Sequence, residues 1–401
     1  MNIIKAAQRT VSIQYPIRDV VLYARKAAEK HEKMFWLNIG DPMKYDFRVP
    51  EPMREAVIKA VIDGKGEGYE DSYGNMEARE SVSGYFLGQK GVEISPDDIL
   101  LTMGASEGIT MALTSIINPG ENVLTPCPGY PQYQSVIGSL GGELNEYRLD
   151  EKNGWEPDIE DIERRINKKT KALAVINPNN PTGSVCSRET LLKIIELARK
   201  NNLIILSDEI YDRMVFGKQH ISPVELCDDV PIIVFNGLAK CFLAPGWRTG
   251  WCMFRDKGLV MQEIKAAVQA LARMRLCINS PFQHAVKPAL EGESCHIGET
   301  ITKLDKRRRL VTEKLNSIPG CSAVMPEAAF YIFPKIELEN GMSDEEFCRG
   351  LIDEEGVVTV YGDGFGKCGG NHFRVVYLAD EADLEEAMKR IRRYVEKVRL
   401  Q

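Results

Sequence analysis

The 401-residue chain has no apolar run approaching the roughly 18 residues that a membrane span needs, and its start, MNIIKAAQRT, lacks the apolar core of a signal peptide. Neither a membrane partner nor export is expected. Cysteine is present, ten residues from Cys127 to Cys368, but no two have C-x-x-C spacing, and Cys252 and Cys277 sit in apolar runs. That pattern predicts reduced, mostly buried thiols in a cytoplasmic protein and not a disulfide framework. Histidine is scarce: five isolated residues offer no metal-ligand spacing, so no metal site is expected. An excess of positive charge is also missing. The balance of 51 Lys and Arg against 58 Asp and Glu leaves −7, which argues against nucleic acid or an anionic membrane as partner. Internal repeats and low-complexity segments are absent.

What remains is an ordinary globular composition, 44% hydrophobic and 27% charged. From Ile99 onward, short continuous apolar runs alternate with amphipathic segments. Strands are expected at Ile99–Met103, Asn122–Thr125, Lys171–Ile176, Leu203–Ser207, Ile232–Phe235 and Gly250–Phe254. This predicts an α/β fold, with a large domain whose mostly parallel sheet is covered by helices on both faces. Beyond Pro319 the pattern changes to short strands at Phe330–Phe333, Val357–Val360 and Phe373–Tyr377, mixed with helices. That reads as a smaller α+β domain. The expected division is residues 1–45 as a segment joining the small domain, 46–290 as the large domain, and 291–401 as the small one. Ligands of such sheets bind beyond the carboxyl ends of the strands. Ser106, Asn180, Asp208 and Lys240 all fall at those ends.

Each of these residues has a bland reading and a chemical one. Lys240 lies in IIVFNGLAKCFLAPGWRTGW, where the surroundings make a charged ammonium costly. A neutral amine there is a nucleophile that can form a Schiff base with a carbonyl; the bland reading is a solvated loop lysine. Gly104-Ala105-Ser106 opens a helix, as a cap or as an anion site. Asp208 offers a carboxylate for a cationic ring nitrogen, or simply a helix cap. Asn177-Pro178-Asn179-Asn180-Pro181-Thr182-Gly183 makes a stiff turn with fixed side-chain amides, more than a plain loop needs. Arg248 is a phosphate clamp or a stacked surface arginine. Arg374 lies inside an apolar strand, where it wants a carboxylate. Gly40 allows close backbone approach to a ligand, and Tyr69 sits in a glycine-rich loop able to present a phenol to a phosphate. Gly364–Gly369 matches G-x-G-x-x-G, but a strand follows it where a dinucleotide site needs a helix, so it reads as a hairpin connection.

With these residues assembled, the chain resembles the class I pyridoxal-phosphate-dependent aminotransferases, of the aspartate-aminotransferase fold, along essentially its whole length. NPNNPTG, SDEIYD and the Lys240-to-Arg248 segment carry the likeness. The resemblance implies that Lys240 holds the cofactor covalently and moves the substrate's Cα proton. Asp208 would keep the pyridine nitrogen protonated. Asn180 and Tyr211 would bond the ring hydroxyl, and Tyr130 would stack on the ring. Ala105, Ser106 and Arg248 would bind the phosphate, joined by Tyr69 from the other subunit of a homodimer. Arg374 would grip the substrate carboxylate, with Asn180 and the Gly40 backbone helping.

Within the class, YPIRDVV, LNIGDP, EGYEDSYG and FNGLAK are similar to prokaryotic alanine (glutamate–pyruvate) aminotransferases. The implied reaction converts L-alanine and 2-oxoglutarate to pyruvate and L-glutamate, with Tyr15 closing over the small substrate. Gly237 and Ala239 depart from the serines of many members, removing a phosphate hydroxyl. Arg275 lies near a second, dicarboxylate-binding arginine of some members; a structural role is favoured. Competing readings are an aromatic or broad-specificity aminotransferase, a β-lyase, and a regulator that senses pyridoxal phosphate while binding DNA. The last needs a basic helix-turn-helix module, for which the about 35 residues ahead of the fold and the negative charge leave little support.

Overall fold

The computed structural model describes residues 4–11, 13, 15–293, 295–337 and 341–399. Its centre is an eight-stranded sheet. In spatial order the strands are Ile99–Thr102, Gly250–Arg255, Ile232–Gly237, Ile204–Asp208, Thr170–Ile176, Asn122–Cys127, Glu143–Asp150 and Glu156–Pro157. The five from Ile232–Gly237 to Glu143–Asp150 are parallel to their neighbours in that run. Gly250–Arg255 runs antiparallel between its two partners. Every residue of the Ile204–Asp208, Ile232–Gly237 and Asn122–Cys127 strands is buried, as expected for strands covered on both faces.

Two strands do not match the apolar-run pattern. Glu143–Asp150, ELNEYRLD, is largely polar and turns only Tyr147 and Leu149 fully into the core. It pairs on its outer side with the two-residue strand Glu156–Pro157, so one end of the sheet stays half-solvated and carries no continuous apolar signal. After the Gly250–Arg255 strand the chain becomes helical only at Gln262. Asp256 instead folds a turn: its carboxylate accepts from the Val260 and Met261 N–H groups, and Leu259 takes a positive φ of 55°.

The chain's two ends pack together beside the sheet. Phe35–Trp36 pairs parallel with Val357–Val358. Tyr331–Ile332, Phe373–Val376 and Val360–Tyr361 form a three-stranded antiparallel sheet. The Gly364–Gly369 run is the connection between two antiparallel strands, with no helix after it. Helices Asp344–Glu355 and Glu381–Arg399 cover these strands; the latter buries Leu384, Ala387, Met388, Ile391, Tyr394 and Val395 on one stripe.

Candidate active site

A cavity of about 720 Å³ opens where the carboxyl ends of the parallel strands meet the segments from the chain's ends. Tyr15, Gly40, Ala105, Ser106, Tyr130, Asn180, Asp208, Tyr211, Lys240, Arg248 and Arg374, all expected at the site, line it; Tyr69 does not. Tyr69 is 85% exposed and stands away from the cavity of its own chain.

On the sheet side, each functional group is set by a strand end. The Ile204–Asp208 strand delivers the Asp208 carboxyl, 3% exposed, to the cavity. Among the described residues no cation pairs with it; its Oδ1 accepts a long contact from the Ile210 N–H at 3.4 Å. Burial accordingly pushes its pKa up to about 7. Lys240 follows the next strand, and its Nζ donates to the Gly40 carbonyl at 2.8 Å. Gly237, one of the two departures noted from the resemblance, sits opposite Gly250. A Cβ there would lie 2.7 Å from the Gly250 Cα and the Thr249 carbonyl, so the two strands approach too closely for a side chain. The departure from serine thus has a steric cause in this chain.

The Asn-Pro turn is internally braced. Asn179 Oδ1 accepts from the Thr182 N–H and hydroxyl, and Gly183, with φ of 71°, closes the turn onto the Asn179 carbonyl. Asn180 projects from it, and its Oδ1 accepts from Arg374 Nη1 at 2.9 Å. A guanidinium only donates, so this contact fixes the amide orientation and leaves the Asn180 NH₂ for the cavity.

The helix Ala105–Ile116 opens without a side-chain cap, leaving its first N–H groups free. Arg248 Nη2 lies over this terminus, donating to Ser106 Oγ at 3.0 Å and the Met103 carbonyl at 3.2 Å. Gly104 has a φ of 76°, and a Cβ on it would fall 2.4 Å from Arg248 Nη2. Only glycine admits this arginine, and the assembly of free N–H groups, hydroxyl and guanidinium is suited to an anion.

The opposite wall comes from the chain's ends. Arg374 is 1% exposed and, among the described residues, meets no carboxylate. It donates to Asn180 Oδ1 and the Asn38 carbonyl and stacks over Tyr331, 4.5 Å from the ring centre. Burial lowers its pKa, against the opposing pull of the surrounding tyrosines. The Tyr15 hydroxyl shares a 2.8 Å hydrogen bond with the Tyr130 hydroxyl, their rings edge to face. Tyr211 and Tyr331 share another at 2.7 Å. Arg18, Asp41, Gln132 and Tyr331 also line the cavity and were not singled out from sequence. For Arg18 the signal was its place three residues after Tyr15 in YPIRD; for Tyr331, an aromatic in an apolar run, there was none. Arg275 does not line the cavity. It donates to the Ser72 and Leu101 carbonyls and faces Glu107, which is a structural role.

The cavity therefore presents an unpaired buried carboxyl, an unpaired buried guanidinium, a lysine amine and an anion cradle. The family model of the class I and II aminotransferases matches residues 32–391. The chain is 36% identical to the glutamate–pyruvate aminotransferase of Haemophilus influenzae, covering 98% of this chain and 99% of the relative. It is 37% identical to the alanine aminotransferase of Mycobacterium tuberculosis, over 94% and 90% respectively. The solved alanine aminotransferase of Pyrococcus furiosus superposes with a TM-score of 0.96 at 42% identity, over 98% of this chain and 100% of that one. The chain belongs to the class I and II aminotransferases and is an aminotransferase.

Proposed function

We propose that this enzyme transfers the amino group of L-alanine to 2-oxoglutarate, giving pyruvate and L-glutamate, with pyridoxal 5′-phosphate as its cofactor. The observation that carries this reading is the pair of uncompensated buried charges facing one cavity. Among the described residues Asp208 meets no cation and Arg374 no anion, and each is costly to keep charged without a ligand that supplies the partner. A protonated pyridine nitrogen satisfies the first and a substrate carboxylate the second. The Gly104–Ser106 cradle with Arg248, which a single Cβ would fill, suits the phosphate. The residues present thus fit the cofactor.

When bound, pyridoxal phosphate supplies the aldehyde that takes up the amino group and a ring that draws electrons from the substrate's Cα. The chain's own residues do the rest. Lys240 would hold the aldehyde until the substrate amine displaces it, and its freed Nζ would then take the proton from the substrate's Cα. Asp208, ionised by its cationic partner, keeps the ring nitrogen protonated. Tyr211 and the Asn180 NH₂ would donate to the ring oxygen, and Tyr130 would lie against the ring. Ala105, Ser106 and Arg248 hold the phosphate. Arg374 binds the substrate carboxylate, assisted by Asn180 and the Gly40 backbone, and Tyr15 closes over the small side chain.

Tyr69 supports a homodimer with shared sites. Its segment is tied to exposed apolar residues, since Arg273 donates to the Tyr73 hydroxyl and Arg275 to the Ser72 carbonyl, on either side of the 81% exposed Met274. A second chain seated there would cover them and bring its Tyr69 to this phosphate cradle. The smaller unit, residues 1–45 with 291–401, is inferred to close on the 46–290 unit when substrate binds and exclude water. A cytoplasmic location accords with ten free cysteines.

Initial rates with a panel of amino donors and 2-oxoglutarate test the assignment. L-Alanine is expected to give the highest kcat/KM, with the parallel double-reciprocal lines of a ping-pong reaction. A tenfold or greater preference for tyrosine or aspartate would replace alanine with an aromatic or broad-specificity reading.

A further inference from the structure

Tyr331 is 3% exposed yet reaches three parts of the site at once. Its hydroxyl lies 2.7 Å from the Tyr211 hydroxyl. Its ring lies under the Arg374 guanidinium at 4.5 Å. Its hydroxyl also backs the Gly40 segment so closely that a Cβ on Gly40 would fall 2.4 Å from it, and the Gly40 carbonyl is what receives the Lys240 amine. Strand pairing builds this placement. Tyr331 is registered opposite Val376, and Arg374, two residues along, shares that face of the sheet. The Phe330 ring, 4.8 Å away, fixes the phenol from behind.

Each phenol carries one proton. If Tyr211 gives its proton to a ligand oxygen in the cavity, the 2.7 Å contact can run in one direction only, from the Tyr331 hydroxyl to the Tyr211 oxygen. Such a chain polarises the outer donor and strengthens it. Tyr130, Arg374 and Lys240 are the other titratable or charged groups facing the Tyr211 phenol, and none of them offers it this contact.

We infer that Tyr331 is a positioning residue that works through Tyr211. Its hydroxyl aims and strengthens the Tyr211 hydrogen bond to the cofactor's ring hydroxyl, while its ring holds Arg374 flat for the substrate carboxylate. The inference rests on the cofactor reading above. It divides the side chain into two separable jobs, one for the hydroxyl and one for the ring.

The test is a pH titration of the bound cofactor's visible absorbance band in the holoenzyme, together with binding of 2-methylalanine, which has no Cα proton to lose. Tyr331→Phe keeps the ring and deletes the hydroxyl. It is expected to move the titration midpoint upward by about half a pH unit, with 2-methylalanine affinity unchanged within about twofold. The shift should disappear when Tyr331→Phe is added to Tyr211→Phe, because the intermediary is gone. Tyr331→Leu removes the ring too and should weaken 2-methylalanine about tenfold. An unmoved midpoint in Tyr331→Phe, or an equal shift in the Tyr211→Phe background, overturns the inference while leaving the cofactor assignment intact. A wild-type protein that shows no band after pyridoxal phosphate is added removes both.

Discussion

The two walls of the cavity are built by different means. The sheet wall carries Ser106, Asn180, Asp208, Tyr211, Lys240 and Arg248, each at or just beyond a strand end or helix start and braced by backbone contacts. The other wall carries Tyr15, Gly40, Tyr331 and Arg374, brought together from the chain's two ends by their pairing. On the sheet wall the group left without a charged partner among the described residues is a carboxyl, and on the other it is a guanidinium. Under the proposed function the contrast is a division of labour: the sheet wall would hold the cofactor, and the wall from the chain's ends would read the substrate. Asn180 is the hinge between them, since it belongs to the first wall and bonds the arginine of the second.

Variants can break that division or sharpen it. Lys240→Ala should cut kcat by about 10⁴-fold or more, since it removes both the covalent anchor and the proton carrier, while the cofactor still binds through the phosphate cradle. Turnover assays alongside cofactor fluorescence would register both effects. Arg374→Leu should lower kcat/KM for alanine by about a hundredfold, by loss of a buried charge-assisted contact. Cofactor retention after gel filtration should match wild type. If retention falls in parallel with activity, the walls are not separable.

Asp208 gives a pH signature in the cofactor-free protein. Its carboxyl has a folded pKa of about 7 against an ordinary value of 3.8, so the folded chain binds a proton that the unfolded chain releases. Stability from the neutral carboxyl is therefore full below about pH 4 and is lost as pH rises through about 7. Asp208→Asn should exceed wild type in stability by a few kcal/mol at pH 8, and the gap should narrow toward pH 5, as read by urea unfolding. Glu209, buried and also at about 7, adds a similar slope that the variant retains. A gap that stays constant with pH would contradict the burial of an unpaired carboxyl. The smallest effect is expected at the rim. Tyr15→Ala loses one hydroxyl contact and one edge-to-face ring contact with Tyr130, which should raise the alanine KM about fivefold with kcat little changed.

The two walls also differed in how readable they were. Strands covered on both faces leave continuous apolar runs, so the ends of Ile204–Asp208 and Ile232–Gly237, and the polar residues beyond them, stand out in the sequence. Arg374 stood out for the same reason, as an arginine within FRVVY. Tyr331 did not, because a tyrosine beside Phe330 and Ile332 looks like core until a tertiary contact gives its hydroxyl a partner. The polar Glu143–Asp150 strand was hidden because its outer neighbour is only two residues long, which leaves most of it half-solvated. The Asp256 turn was hidden because a side-chain carboxylate, not glycine or proline, stops the helix from starting there. Tyr69 gains meaning only with a second chain beside it.

The most direct test is the absorbance spectrum of the purified holoenzyme before and after L-alanine is added without any 2-oxo acid. The account predicts a visible cofactor band that disappears stoichiometrically as pyruvate forms and returns when 2-oxoglutarate is supplied. In Lys240→Ala the band should be shifted and unresponsive on that timescale. A band that ignores alanine while responding to tyrosine or aspartate would contradict the substrate assignment. No band at all, even with pyridoxal phosphate restored, would contradict the reading of Lys240 and of the cavity built around it.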